Sequence, residues 1–304
     1  MNPDARFLSV KILNRFEKKN EQLSLIRNQV FSQFDPDLLS KSRSMALTNE
    51  VVRIKDRLDL TIQHISGRKI ARLDPSLLSI LRVGFYEILY DETVPDYAAV
   101  DSAVKLTKSI LNRKASGLTN AVLRTLIRTM EKDSDWDREL QSDPTWHSIP
   151  QWLQKRWIAQ FGENGFSELA KKFNQTPITF IRGDLSQQSR EDIQKQLEEL
   201  DIKSEVYSDS FLKIKSGSGK ILFTNLFQSG QISIQDPAAG SVVEFLEPQN
   251  GETILDVCAA PGTKSLYLAE KVGNSGKVLA SDYDKIRVKR GKKDVNRHQR
   301  KNIE

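Results

Sequence analysis

The segment "DVCAAPGTKS", residues 256–265, follows a short apolar run and decides the fold of the C-terminal part of the chain. The overlapping "ETILDVC" predicts a buried strand, "TKSLYLAEKV" predicts a helix that ends at Gly273, and "GKVLASD" predicts a second strand. A strand–helix–strand unit of this length implies a parallel pair with a right-handed crossover. The pattern therefore predicts the start of a Rossmann-like sheet.

The tight turn in this segment has three candidate ligands. A P-loop needs glycine where this chain has Cys258 and Thr263, and a dinucleotide fingerprint needs three glycines where the turn has only Gly262. S-adenosylmethionine is the third candidate, because small side chains let the backbone approach a ligand and a helix N-terminus favours a carboxylate. Asp282 ends the second strand, where an acid can accept hydrogen bonds from both ribose hydroxyls. A plain turn with a surface aspartate remains the alternative.

The composition is that of a protein with substantial cores, since 38% of the 304 residues are hydrophobic and 28% are charged. No run of about 18 apolar residues is present, so no membrane span is expected. The single cysteine fits a reducing cytoplasm, which is the expected location, and the chain is expected to be a monomer without a metal. The formal net charge of +6 favours a polyanionic partner.

The first 130 residues predict an all-helical bundle, because apolar residues recur at spacings of three and four. One such face consists of Ala5, Leu8, Ile12 and Phe16. Asp74 and Pro75 form a cap and a first helical position. Polar residues concentrate in 131–144, which indicates a domain edge. The predicted divisions are a helical domain over 1–140, a linker helix with a small α/β subdomain over 141–235, and the Rossmann-like part over 236–304.

The middle of the chain predicts an α/β unit of roughly 60 residues. The segments "ITFIRGD" and "SEVYSDSFLKIKSG" are strand-like, and "SREDIQKQLEEL" predicts a helix that Ser189 caps. Three tryptophans between residues 146 and 157 fit core packing better than base stacking.

The stretch "SIQDPAAGSVVEFLEPQNGETILDVCAAPGTKS" resembles the RsmB/Sun family of RNA 5-methylcytosine methyltransferases. "LRVGFYEILYDETVPDYAAVDSAVKLTK" and "KASGLTNAVLR" resemble the NusB-type RNA-binding domain that precedes the catalytic part in bacterial RsmB. The resemblance implies methylation of one cytosine in small-subunit (16S) ribosomal RNA with S-adenosylmethionine as cofactor. It also implies a set of cofactor-binding residues, namely Cys258, Ala259, Ala260, Pro261, Gly262, Thr263, Lys264 and Asp282. Thr263 departs from the family pattern, which has a second glycine there.

The lone cysteine, Cys258, is expected to face the cofactor and not to act as the nucleophile. Enzymes that methylate carbon 5 of cytosine first add a thiolate to carbon 6, and the resembling family places that thiolate after later strands. A complete sheet of this type has about seven strands, so the substrate side is expected to be missing from this chain. The chain itself is therefore predicted to have no catalytic residues and no methyl transfer activity.

The segment from Lys285 to Lys301 carries nine lysines and arginines against one acid, Asp294. It is either an RNA-attracting segment or an exposed amphipathic helix. The alternative to an enzyme is a non-catalytic NusB-like RNA-binding protein, such as an antitermination or ribosome-assembly factor.

Overall fold

The computed structural model describes residues 4–19 and 21–304. Its internal contacts divide the chain into two compact units, the first ending at Thr176 and the second beginning at Pro177. In the described residues, the helices of the first unit are α1 (Ala5–Lys18), α2 (Leu23–Phe34), α3 (Leu38–Arg53), α4 (Lys55–Ser66), α5 (Pro75–Tyr90), α6 (Asp96–Ile110), α7 (Arg113–Lys132) and α8 (Gln151–Phe173). Short 3-10 helices occupy Ile70–Arg72 and Leu140–Ser142. No helix among the described residues is long and apolar enough to cross a membrane.

Side-chain caps fix where several of these helices begin. The Asp74 carboxylate accepts hydrogen bonds from the backbone N–H groups of Ser76 and Leu77 at 2.8 and 3.1 Å, and Pro75 is the first residue of α5. Asn112 caps α7 in the same way by accepting from Ala115. Such caps satisfy N–H groups that have no partner within the helix. The predicted cap at Asp74 is confirmed.

The core of the helical unit forms along the predicted apolar faces. Helix α5 supplies Ile80, Leu81 and Phe85, which are almost completely buried. On α1, Leu8 and Ile12 are buried in a second cluster. Each fully buried side chain of this size contributes about 1.5–3 kcal/mol relative to an exposed one. The helical bundle predicted for residues 1–130 is confirmed over 4–19 and 21–130, and the remaining positions of that range lie outside the described residues.

The tryptophans differ in their surroundings. Trp146 is buried beneath the Arg57 guanidinium, which lies 4.7 Å from its ring, and Trp157 packs against Phe173. Trp152 is 66% exposed. The core interpretation holds for the first two and is wrong for Trp152, because helix α8 turns that residue away from the cluster that its neighbours join.

The second unit begins with a four-stranded antiparallel sheet in the order β2-β3-β1-β4. Its elements are β1 (Phe180–Gly183), α9 (Arg190–Glu199), β2 (Lys203–Val206), β3 (Phe211–Ser216), a 3-10 helix at Ser218–Phe223, α10 (Asn225–Gln228) and β4 (Ile232–Ile234). Ser189 caps α9 by accepting from the N–H of Asp192. The small α/β unit and its capped helix are therefore present as predicted.

The parallel part of the second unit comprises α11 (Pro237–Leu246), β5 (Thr253–Asp256), α12 (Thr263–Val272), β6 (Lys277–Ala280) and α13 (Lys285–Arg297). Strands β5 and β6 pair in parallel, as the strand–helix–strand pattern predicts. Ile303 adds a parallel bridge to Val278, which the sequence pattern did not reveal. The domain boundaries at 140 and 235 stay predictions.

Strand β5 is not buried on both faces, which corrects one expectation. Ile254 packs against the cluster that α12 supplies, whereas Leu255 points the other way and is 63% exposed. Alternate side chains of a strand face opposite sides of the sheet, and α12 covers only one side. The apolar run "ETIL" therefore belongs to a strand with one covered face.

Candidate functional site

The turn between β5 and α12 is held by hydrogen bonds to the segment that follows β6. The N–H of Ala259 donates to the carbonyl of Ser281 at 2.9 Å, and the N–H of Ala260 donates to Asp282 Oδ2 at 2.9 Å. The turn and the predicted ribose-binding acid therefore lie side by side at the carboxyl ends of two parallel strands. This edge is where open α/β sheets bind their ligands.

Asp282 is held in its ionised form by the backbone. Hydrogen bonds from the N–H groups of Asp284 and Ala260 lower the pKa of its carboxyl below the ordinary range. A carboxylate offers about four lone-pair positions, and these two bonds use one position on each oxygen. The remaining positions can accept hydrogen bonds from two neighbouring hydroxyl groups.

The start of α12 combines a glycine and a threonine with different demands. Gly262 immediately precedes the helix and has φ of 111°, a left-handed conformation that favours glycine. Thr263 is the first helical residue and has no positive φ. A β-branched residue adopts that conformation without strain, so the departure of Thr263 from the family pattern does not distort the turn.

A cavity of about 590 Å³ lies beside the turn. Five of the eight predicted cofactor residues line it, namely Ala259, Ala260, Pro261, Gly262 and Asp282. Its volume is in the usual range for a small-molecule site. Cys258, Thr263 and Lys264 are not among its lining residues, and the Cys258 side chain is exposed to solvent.

Two supports of the turn were missed from the sequence. Asp256, at the end of β5, accepts a hydrogen bond from the Ser265 hydroxyl at 2.7 Å and another from the N–H of Cys258 at 3.3 Å. An acid and a serine nine residues apart, on either side of a strand–helix turn, are the sequence signal for this hydrogen bond across the turn.

The second missed support comes from α13. A Cβ on Gly291 would lie 2.7 Å from the Pro261 carbonyl oxygen, so only glycine lets α13 approach the turn this closely. Arg287, one helical turn earlier, donates a hydrogen bond to the carbonyl of Ala260. Their spacing of four residues places both on the face of α13 that meets the turn.

A buried polar cluster elsewhere in the same unit resembles a metal site in geometry. Asp184, Glu270 and His298 each place one potential ligand atom within 4.8 Å of the others. Arg182 Nη2 donates to Glu270 at 2.8 Å, and Arg300 donates to Asp184. These guanidinium groups already balance the carboxylates, so a metal cation would meet positive charge. The expectation of no metal stays a prediction.

Three family models match the chain in order. The NusB family matches residues 3–128, the Methyltr_RsmF/B-like ferredoxin-like domain matches 149–217, and the 16S rRNA methyltransferase RsmB/F family matches 243–304. Similarity to the crystal structure of PH0851, with a TM-score of 0.67 and 22% identity, covers 100% of this chain and 69% of that one and supports the fold.

Curated relatives carry a consistent description. The probable ribosomal RNA small subunit methyltransferase B of Synechocystis is 29% identical over 91% of this chain and 63% of its own length. The corresponding protein of Bacillus subtilis is 26% identical over 94% of this chain and 64% of its own length. The chain thus spans just under two thirds of these relatives.

The fold and the matches define a class of protein in which a NusB-type helical domain is followed by a ferredoxin-like domain and a methyltransferase sheet. Within that class, residues 243–304 match the 16S rRNA methyltransferase RsmB/F family, and the chain as a whole is similar to ribosomal RNA small subunit methyltransferases B. The resemblance inferred from "DVCAAPGTKS" and from the helical segments is confirmed.

Proposed function

We propose that this chain serves the S-adenosylmethionine-dependent methylation of cytosine carbon 5 in small-subunit ribosomal RNA. In this proposal the helical unit binds RNA and the turn after β5 binds the cofactor. The match to the RsmB/F family model supports the reaction class, and the relatives' description supports the RNA substrate. The assignment of cofactor residues rests on the geometry of the turn.

The observation that carries the cofactor proposal is the pairing of Ala260 with Asp282. It places an ionised acid with free lone pairs next to the cavity and to the N-terminus of α12. The acid accepts ribose hydroxyls, and the N-terminus of α12 favours the methionine carboxylate. When bound, the cofactor supplies an electrophilic methyl group.

Cys258 has a position that argues against a role as the nucleophile. It belongs to the turn, its side chain is exposed, and it does not line the cavity. It is also the single cysteine of the sequence, and addition at carbon 6 of cytosine needs a thiolate. We therefore expect this chain to transfer no methyl group to cytosine.

A second candidate function is RNA binding without catalysis. The match of the NusB family to residues 3–128 and the single cysteine favour it for the chain as it stands. The two candidates differ in whether the second unit binds the cofactor.

A thermal unfolding experiment separates these candidates, because all four tryptophans lie in the first unit. Circular dichroism follows both units, whereas tryptophan fluorescence follows the first. A ligand at 100 times its dissociation constant stabilises the folded state by about 2.7 kcal/mol. We expect S-adenosylmethionine to raise the midpoint temperature of the transition that only circular dichroism detects. Adenosine monophosphate should raise it much less. No shift with S-adenosylmethionine would favour the non-catalytic candidate.

A further inference from the structure

Helix α13 presents a strongly cationic surface beside the cofactor cavity. Its six exposed cations are Lys285, Arg287, Lys289, Arg290, Lys292 and Lys293, and we call them the α13 cationic surface. Lys285 and Lys293 are separated by about 12 Å along the helix axis, at 1.5 Å per residue. The surface therefore concentrates six charges over little more than two helical turns.

Within the described part of the chain, none of these six side chains forms an ion pair. Later on the same helix, Arg297 pairs with Asp294 at 2.6 Å. On the neighbouring sheet, Lys213 and Lys215 both pair with Glu205. Other lysines of the unit, such as Lys195 and Lys203, also lack an ion pair in the described residues, so what distinguishes α13 is that six unpaired cations lie within nine consecutive residues.

The arrangement opposes the stability of the helix. The Asp284 cap places one carboxylate at the start of α13, but lysine occupies the first helical position, where the positive end of the helix dipole disfavours cations. Lys285, Lys289 and Lys293 follow at intervals of four residues, so like charges are neighbours. A polyanion on this surface would relieve both repulsions.

The surface begins at the edge that holds the candidate cofactor site. Asp284 caps α13, and the preceding Tyr283 is fully exposed at 101%. Tyr283 is adjacent to Asp282, which lines the cavity. An aromatic ring without packing partners at the end of a cationic track is typical of platforms that stack a base of a single strand.

We propose that the α13 cationic surface binds the phosphate backbone of a single-stranded RNA segment, with Tyr283 stacking on a base next to the cofactor cavity. The proposal rests on the proposed function, because it assigns the RNA substrate to this edge. An acidic protein would also be attracted by the lysines, but it would leave the isolated tyrosine beside the cavity without a role.

The test uses the full chain and a fluorescent, single-stranded, cytosine-containing RNA 12-mer. The variant carries Lys285→Gln, Lys289→Gln and Lys293→Gln, which lie outside the cavity lining. A matched control carries Lys195→Gln, Lys203→Gln and Lys220→Gln, three exposed lysines of the antiparallel part of the same unit. A charge-retaining variant changes the three α13 lysines to arginine.

Loss of three phosphate contacts reduces the slope of log affinity against log salt by about 2 for a single strand. We expect affinity to fall about thirtyfold at 50 mM salt and about twofold at 200 mM, since the slope change removes about sixteenfold over that range. The control and the arginine variant should bind like the wild type. Tyr283→Ala should weaken binding about tenfold with an unchanged salt slope.

Equal affinity of the glutamine variant and the wild type would overturn the proposal, as would equal losses in the variant and its control. Tighter binding of poly-glutamate than of the RNA would instead assign the surface to an acidic protein. Binding of S-adenosylmethionine is measured in parallel and should not change in the variant. If the wild type does not bind S-adenosylmethionine, that result refutes the proposed function separately from the RNA proposal.

Discussion

Removal of Arg182 should destabilise the second unit in a way that depends strongly on pH. The Arg182 side chain is almost completely buried, donates to both carboxylate oxygens of Glu270, and donates to Gln235 Oε1 at 2.8 Å. It also lies 4.3 Å from the ring of Tyr267. The pair connects β1 of the antiparallel sheet to α12, which carries the candidate cofactor turn at its other end.

Burial raises the pKa of Glu270 to about 7, from an ordinary value of 4.5. The folded state therefore holds this proton more tightly than the unfolded chain, so the stability that Glu270 contributes is complete below pH 4.5 and declines as pH rises to about 7. The charge of Arg182 opposes this rise. In Arg182→Met the pKa of Glu270 should rise further, which extends the decline to more alkaline pH.

Removing one partner of a buried ion pair costs roughly 3–5 kcal/mol when the other stays charged. We expect a loss of this size for Arg182→Met at pH 8.5. At pH 6 Glu270 is largely protonated, and the loss should be about 2 kcal/mol from hydrogen bonds alone. The double variant Arg182→Met, Glu270→Leu should recover most of the stability, since apolar replacement of both partners is often neutral.

Urea unfolding with two probes measures these losses. In Arg182→Met, the second unit, followed by circular dichroism, should unfold at a lower urea concentration. The first unit, followed by tryptophan fluorescence, should unfold at the same urea concentration as in the wild type. Equal losses at pH 6 and pH 8.5, or a double variant as unstable as the single one, would refute the reasoning.

Four further substitutions test other parts of the account. Gly291→Ala should weaken binding of S-adenosylmethionine, measured by calorimetry, because the new Cβ would meet the Pro261 carbonyl. Gly117→Ala in α7 places its Cβ against no neighbour and should stabilise the first unit by about 0.5–1 kcal/mol in urea unfolding. Phe85→Ala should cost the helical unit about 3–5 kcal/mol by fluorescence-detected unfolding, and a loss under 1 kcal/mol would contradict the core assignment. Cys258→Ala should leave the affinity for S-adenosylmethionine unchanged, and neither the wild type nor this variant should transfer labelled methyl groups to cytosine. If the wild type does transfer them and Cys258→Ala does not, Cys258 is a nucleophile.

The helical unit was predictable because its determinants are local. Apolar spacing located Leu81 and Phe85 in the core, and the Asp74 cap marked the start of α5. The turn after β5 was also predictable, since small residues, one glycine and a following acid occur within a short stretch. Its geometry at Thr263 needed the structure, because the sequence does not show which residue takes the positive φ.

The remaining features depend on contacts between distant residues. Arg182 and Glu270 are 88 positions apart, and no periodicity connects them. The exposure of Leu255 depends on what covers each face of the sheet, which an apolar run cannot reveal. The bridge at Ile303 involves too few residues to produce a strand pattern.

The most direct test of the central claim is calorimetric titration of the chain with S-adenosylmethionine, up to millimolar concentration, in wild type and Asp282→Asn. Asparagine keeps the size of the side chain but removes the charge, and Asp209→Asn, at an exposed turn, is the matched control. Saturable binding of one cofactor per chain is expected, at least about tenfold weaker in Asp282→Asn and unchanged in Asp209→Asn. Wild-type affinity in Asp282→Asn, or no binding by the wild type, would contradict the assignment of the turn and Asp282 to the cofactor.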